Sequence, residues 1–127
     1  MRILLVDDDV LFREVLERLL HRQPDIRVVG HAGSIKEAIA LARQLHPDLV
    51  LMDFRLPDGT GLEATSAMLA DDPRTKIVFL ADDDADEHLF RTVRSGARGY
   101  LLKDMPIAAL LVYLRGIQYG EPQFLRQ

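Results

Sequence analysis

Five short runs of almost unbroken apolar residues punctuate this chain, at 3–6, 26–29, 49–52, 77–80 and 100–102. Each is too short for a typical helix, and most are rich in Val, Ile and Leu. A strand with one face in water alternates apolar and polar residues. An unbroken run is what a parallel strand covered on both faces looks like. Between the runs lie helical patterns. Leu11, Val15, Leu16, Leu19 and Leu20 recur at helical spacing in 11–20, and further patterns cover 35–45, 61–69, 86–95 and 106–117. Ser34 and Glu37 read as a capping box opening the second helix, Pro47 follows its end, and Pro106 fits the first turn of the last. Five strands alternating with five helices predict an α/β fold, a five-stranded parallel sheet sandwiched between helices in three layers.

In such a sheet, ligands bind outside the carboxyl ends of the strands. The first run is followed by Asp7, Asp8 and Asp9, and the second by His31, Ala32 and Gly33. The third ends at Asp53 and continues "FRLPDGTG"; the fourth gives way to Ala81 and Asp82-Asp83-Asp84, the fifth to Lys103 and Asp104. Acids from three strands and a lysine therefore gather at one rim. Like charges repel by about 4 kcal/mol per pair at ~4 Å and an effective dielectric near 20, so convergence of this kind points to a cation. Mg²⁺ is usually held by one or two carboxylates plus substrate phosphate, and Asp8 and Asp53 can supply those two if their strands are adjacent. A carboxylate beside a metal can attack phosphorus, and Lys103 can neutralise phosphoryl oxygens. Spacing alone does not choose which Asp is the nucleophile.

The chain's 127 residues suit one domain. With no cysteine, disulfides, thiolate metal sites and a Cys nucleophile are excluded. The net charge of −4 lends no support to a nucleic-acid-binding face. No apolar run approaches the roughly 18 residues of a membrane span, and the N-terminus lacks a signal-peptide pattern, so the expectation is a cytoplasmic protein with no membrane partner. His21, His31, His46 and His88 are scattered without ligand spacing and read as surface or helix-end residues. Asp9 reads as the N-cap of the first helix, and Asp84 or Asp86 as lying near the start of the fourth.

"LVDDD", "DLVLMDFRLPDGTGLE" and "GARGYLLKD", in this order and at these intervals, resemble the receiver domain of two-component response regulators over nearly the whole chain. The wording of "GARGYLLKD" is most similar to the NarL/LuxR-type branch. The resemblance implies a CheY-like (flavodoxin-like), doubly wound (βα)5 sheet. It implies a domain over 1–119, with 120–127 the start of a linker or C-terminal tail. It makes Asp53 the phospho-acceptor, and Asp7 and Asp8, with Asp53 and the backbone carbonyl of Arg55, the Mg²⁺ ligands. Lys103 pairs with the phosphoryl group, Tyr100 matches the aromatic switch position, and Pro57 and Gly59 shape the loop. A sensor histidine kinase is the implied phosphoryl donor, and no turnover of an external substrate is expected. Homodimerisation or an output domain outside this chain, of the helix-turn-helix DNA-binding kind, is the implied response. Leu111, Leu114 and Tyr119 read as an exposed apolar face for a second copy or for that domain.

One departure stands out. The family places Thr or Ser at the end of the fourth strand, where its hydroxyl binds the phosphoryl group. That role falls here on Ala81, which has no donor, and a usually small position beside it is Asp82. The expectation is intact acceptor chemistry with slowed phosphorylation, weakened coupling to the Tyr100 face, and so an impaired or altered switch. Two other readings compete. One is an interaction module that works without phosphorylation. The other is a haloacid-dehalogenase-type phosphatase with Asp7 as nucleophile and Asp9 as general acid; the short chain, the lack of a cap domain and the unexplained Asp53 loop count against it.

Overall fold

In the computed structural model, residues 1–82 and 86–124 are described. The chain runs β1 (Arg2–Val6), α1 (Val10–His21), β2 (Arg27–Ala32), α2 (Ile35–Leu45), β3 (Leu49–Asp53), β4 (Arg55–Leu56), β5 (Gly59–Thr60), α3 (Gly61–Asp71), β6 (Lys76–Ala81), α4 (Asp86–Ser95), β7 (Gly99–Leu102), α5 (Ile107–Gln118) and β8 (Gln123–Phe124). The main sheet has the order β2-β1-β3-β6-β7-β8, and its neighbouring strands pair in parallel. The direction of winding reverses between β1 and β3, so their carboxyl ends open a crevice at the switch point.

The unbroken apolar runs have a direct explanation. In β1, Leu4 and Val6 point into one apolar layer and Ile3 and Leu5 into the other, so none of these four positions meets water. The first layer lies under α2, α3 and α4, through Ala38, Ala64, Met68 and Leu89. The second lies under α1 and α5, through Leu16, Leu20, Leu110 and Leu114. Of the α1 residues at helical spacing, Leu16 and Leu20 are buried, while Leu11 and Val15 are exposed.

Three features differ from the sequence expectation. The sheet has a sixth strand: within 120–127, Gly120 turns the chain at φ 96°, and Gln123 and Phe124 pair with Gly99 and Tyr100. Arg98 accepts from the Gln123 N–H at 2.9 Å, and Gly99 permits the approach, since a Cβ there would lie 3.0 Å from the Gln123 carbonyl oxygen. The loop after β3 folds into an antiparallel pair, β4 with β5, carrying Pro57 and Gly59. Leu111 and Leu114, read as exposed, are buried against the sheet; Val112 of α5 faces outward, as does Tyr119, its C-cap, which the sequence reading placed there. That helix is apolar nearly all round, so its sequence does not mark its inner face.

Candidate functional site

The crevice at the β1/β3 switch point holds the acids. Asp7 and Asp8 follow β1, whose end is fixed when the Asp7 N–H donates to the Ala32 carbonyl at 3.0 Å. Asp53 is the last residue of β3. One carboxylate oxygen from each of Asp7, Asp8 and Asp53 lies within 4.8 Å of the others. Lys103, just past β7, donates from Nζ to Asp7 Oδ2 at 2.7 Å and to Asp53 Oδ2 at 3.2 Å. Its position is fixed from behind by the N–H of Lys103 donating to the Ala81 carbonyl at 2.9 Å. The ring of Phe12 lies 4.8 Å from the ammonium, so an aromatic face supports the charge from α1.

Asp7 is only 4% exposed, and both its oxygens are engaged, since Oδ1 accepts from the Asp9 N–H at 2.9 Å. Asp9 is itself the N-cap of α1, accepting from the Phe12 N–H at 3.1 Å. A nucleophilic Asp7 working with an acidic Asp9 is therefore a poor fit: one is locked to a lysine and the other caps a helix. Burial raises the Asp53 pKa, opposed by Lys103 and assisted by the charge of Asp7. For Lys103, burial acts downward, but the Asp7 hydrogen bond and the fields of Asp53 and Asp7 outweigh it, and its pKa is raised. An open depression of about 440 Å³ lies over these groups, rimmed also by Asp9, Asp82 and Asp104.

The donor set fits a magnesium ion. All three side-chain donors are carboxylate oxygens, and Asp8 is exposed, which leaves the open side to water, as a cation that keeps several waters requires. With all groups ionised, the three acids and Lys103 carry a net charge of −2, which one divalent cation balances. Among the described residues this is the only such group, and it contains no histidine.

The other sequence candidates sit around this centre. Arg55 opens β4, and its N–H donates to Asp53 Oδ1 at 3.4 Å. Ala81 ends β6, buried, beside the exposed Asp82. Tyr100 is fully buried in β7, between Phe79 of β6 and Phe124 of β8 in register, and belongs to the core layer rather than to the acidic cluster. Asp83 and Asp84 lie outside the described residues. The remaining histidines do helix-end and surface work: His21 Nε2 accepts from the Val28 N–H at 3.1 Å, His31 meets Glu17 at 3.2 Å, and His46 caps α2 in a left-handed conformation.

Three contributors escaped the sequence reading. Asp58 accepts from the Ile35 and Lys36 N–H groups at 2.8 and 3.1 Å, tying the acceptor loop to the N-terminus of α2. Those bonds hold its carboxyl below the ordinary range. Gly61 lets the loop close on the acceptor strand, where a Cβ would fall 2.4 Å from the Phe79 ring and 2.9 Å from the Asp53 carbonyl oxygen. His88 stacks on Phe54 with ring centres 4.3 Å apart. The "LPDG" turn was a usable signal for Asp58; nothing in one sequence announces the other two.

The family model described as the response regulator receiver domain matches residues 3–115. This chain belongs to the response regulator receiver family. The receiver is 41% identical over 123 residues to the transcriptional regulatory protein YxjL of Bacillus subtilis (strain 168), covering 97% of this chain and 56% of that one. It therefore spans about half the length of that relative. A LuxR-family two-component response regulator from Aurantimonas sp. SI85-9A1 superposes with a TM-score of 0.91 at 34% identity, covering 96% of the receiver and 87% of that chain. The signal receiver domain of the putative response regulator NarL from Mycobacterium tuberculosis gives 0.89 at 28% identity, covering 94% and 97%. These neighbours agree with the NarL/LuxR-type wording of the sequence, and the CheY-like fold is shown.

Proposed function

We propose that the receiver accepts a phosphoryl group from a sensor histidine kinase onto Asp53. The observation that carries this reading is Lys103 bridging Asp7 and Asp53 at 2.7 and 3.2 Å, beside the third carboxylate, Asp8. A carboxylate oxygen of Asp53 attacks phosphorus; the O–P bond forms as the P–N bond to the kinase histidine breaks, and the bonding pair returns to the imidazole nitrogen. Asp7, Asp8, Asp53 and the Arg55 carbonyl would hold Mg²⁺, which when bound supplies charge neutralisation for the phosphoryl oxygens. Lys103 pairs with the same oxygens from the side of β7. Asp7 positions that lysine.

The alternating strands and helices of the domain take residues 1–119, and the tail, after adding β8 to the edge of the sheet, leads toward an output domain of the DNA-binding kind. Phosphorylation replaces the single charge of the Asp53 carboxylate with a phosphoryl group of about two, a net gain of about one negative charge at the β3 end, which biases the surface near Tyr100 and α5 toward a homodimer or that domain. A cytoplasmic setting follows from the kinase partnership, and no helix among the described residues is long and apolar enough to cross a membrane. Ala81 and Asp82 favour slower uptake and an altered switch, since one offers no donor and the other opposes a dianion.

The test is intact mass after incubation with acetyl phosphate and Mg²⁺, with Asp53→Asn as control. One phosphoryl group, dependent on Mg²⁺ and absent from the variant, is the expected result. No adduct under conditions that label other receivers would replace this reading with a module that works without phosphorylation.

A further inference from the structure

Ala81 leaves a gap in more than name. A recess of about 100 Å³ opens beside Asp53, lined by Phe54, Arg55, Ala81, Asp82 and His88. A hydroxyl at position 81 would donate to an oxygen of a phosphoryl group there; the methyl of Ala81 cannot. Asp82 adds a negative charge on the same side. Among the described residues of the recess, Arg55 carries the one permanent positive charge.

Arg55 is held in a specific way. Its Nη2 lies 3.2 Å from His88 Nε2. A guanidinium has only donors, so Nη2 donates and Nε2 accepts. His88 takes one of five N–H donors in a planar fork suited to phosphate oxygens. The imidazole is itself seated on Phe54, the residue next to the acceptor, with ring centres 4.3 Å apart and planes 21° from parallel. Phe54 is buried and leans on Phe79 at 5.5 Å, so the platform is part of the core. His88 belongs to the first turn of α4. A chain of contacts thus runs from the recess at Asp53 through a guanidinium to a helix on the surface.

We infer that Arg55 and His88 replace the missing hydroxyl: Arg55 receives an oxygen of the phosphoryl group on Asp53, and His88 transmits the resulting shift of Arg55 to α4. This rests on Asp53 being the acceptor. Arg55 offsets Asp82, which explains how a carboxylate is tolerated at the mouth of a phosphoryl site. His88 is a positioning residue, acting through Arg55.

The test pairs intact mass with hydrogen exchange of α4 peptides, both measured with acetyl phosphate and Mg²⁺, the exchange response normalised to the adduct present. His88→Phe keeps the stack on Phe54 and removes the nitrogen that meets Arg55. It is expected to carry the phosphoryl group while its α4 response falls several-fold. Ala81→Thr in the same background restores a hydroxyl and is expected to restore the response, which a general loss of packing would not do. Arg55→Met keeps the backbone carbonyl and is expected to shorten the adduct's lifetime several-fold. A His88→Phe protein that carries the adduct with an undiminished α4 response, or an Arg55→Met adduct of unchanged lifetime, overturns this inference and leaves Asp53 as acceptor. Absence of any adduct in the unaltered protein overturns both.

Discussion

Lys103 is the residue on which the acidic crevice balances. Its ammonium offsets Asp7 and Asp53, and Asp7 is too buried for water to replace it. Removing one partner of a buried pair typically costs about 3–5 kcal/mol. Lys103→Met is therefore expected to lower stability in urea by about 3 kcal/mol, with Mg²⁺ raising the midpoint more in this variant than in the unaltered chain. The raised pKa of Lys103 means that its contribution is complete at neutral pH and is lost as pH climbs through its folded value, above the ordinary 10.5. Asp53 has the opposite sense. Its pKa is raised, so the folded state holds the proton more tightly, and the ionised carboxylate costs stability that is recovered as pH falls through the raised value. Asp53→Asn is expected to stabilise the domain by about 1 kcal/mol at pH 7, as removal of a functional strain commonly does, and to flatten that pH dependence in urea titrations. Phosphoryl uptake by the unaltered chain should decline over the same acid range, because only the carboxylate attacks phosphorus.

The elements that aim these groups are joined by short polar ties. Asp58 and Ser34 between them satisfy the N–H groups of Ile35, Lys36 and Glu37 at the start of α2. Asp58→Ala is expected to speed hydrogen exchange at Ile35 and Lys36 several-fold and to loosen the loop that carries Arg55. Because the Asp58 pKa is lowered, the same tie weakens as pH falls through its folded value, below 3.8. Gly61→Ala forces a methyl toward Phe79 and the Asp53 carbonyl. Overpacking of that kind costs about 1–3 kcal/mol, and displaced Asp53 geometry should slow labelling by acetyl phosphate. These ties mark the limit of what the sequence made legible. Ser34 and Glu37 were readable because a cap lies within its own helix. Asp58 acts across 23 residues, and periodicity says nothing about such a distance.

Across the molecule, the parallel sheet was legible because strands covered on both faces must be apolar at every position, as Ile3 to Val6 are. The acids and Lys103 followed, since the carboxyl ends of those strands converge by topology. The inner face of α5 was not legible: Leu111 and Val112 are adjacent and equally apolar, yet one is buried and the other exposed, and only the packed sheet distinguishes them. Leu114→Ala, at a fully buried position, is expected to cost about 2–5 kcal/mol in urea, whereas Val112→Ala should change little. Gln123 and Phe124 escaped notice because a two-residue strand carries no period at all. Their pairing has a consequence for the fate of shortened chains. Without it, β7 becomes the rim of the sheet, and Gly99 and Tyr100, at the start of the apolar "GYLL", lose their strand partner on that side. A protein ending at Tyr119 is expected to fold and then to aggregate edge to edge with its own copies, visible as growing light scattering, while one ending at Gln127 stays dispersed.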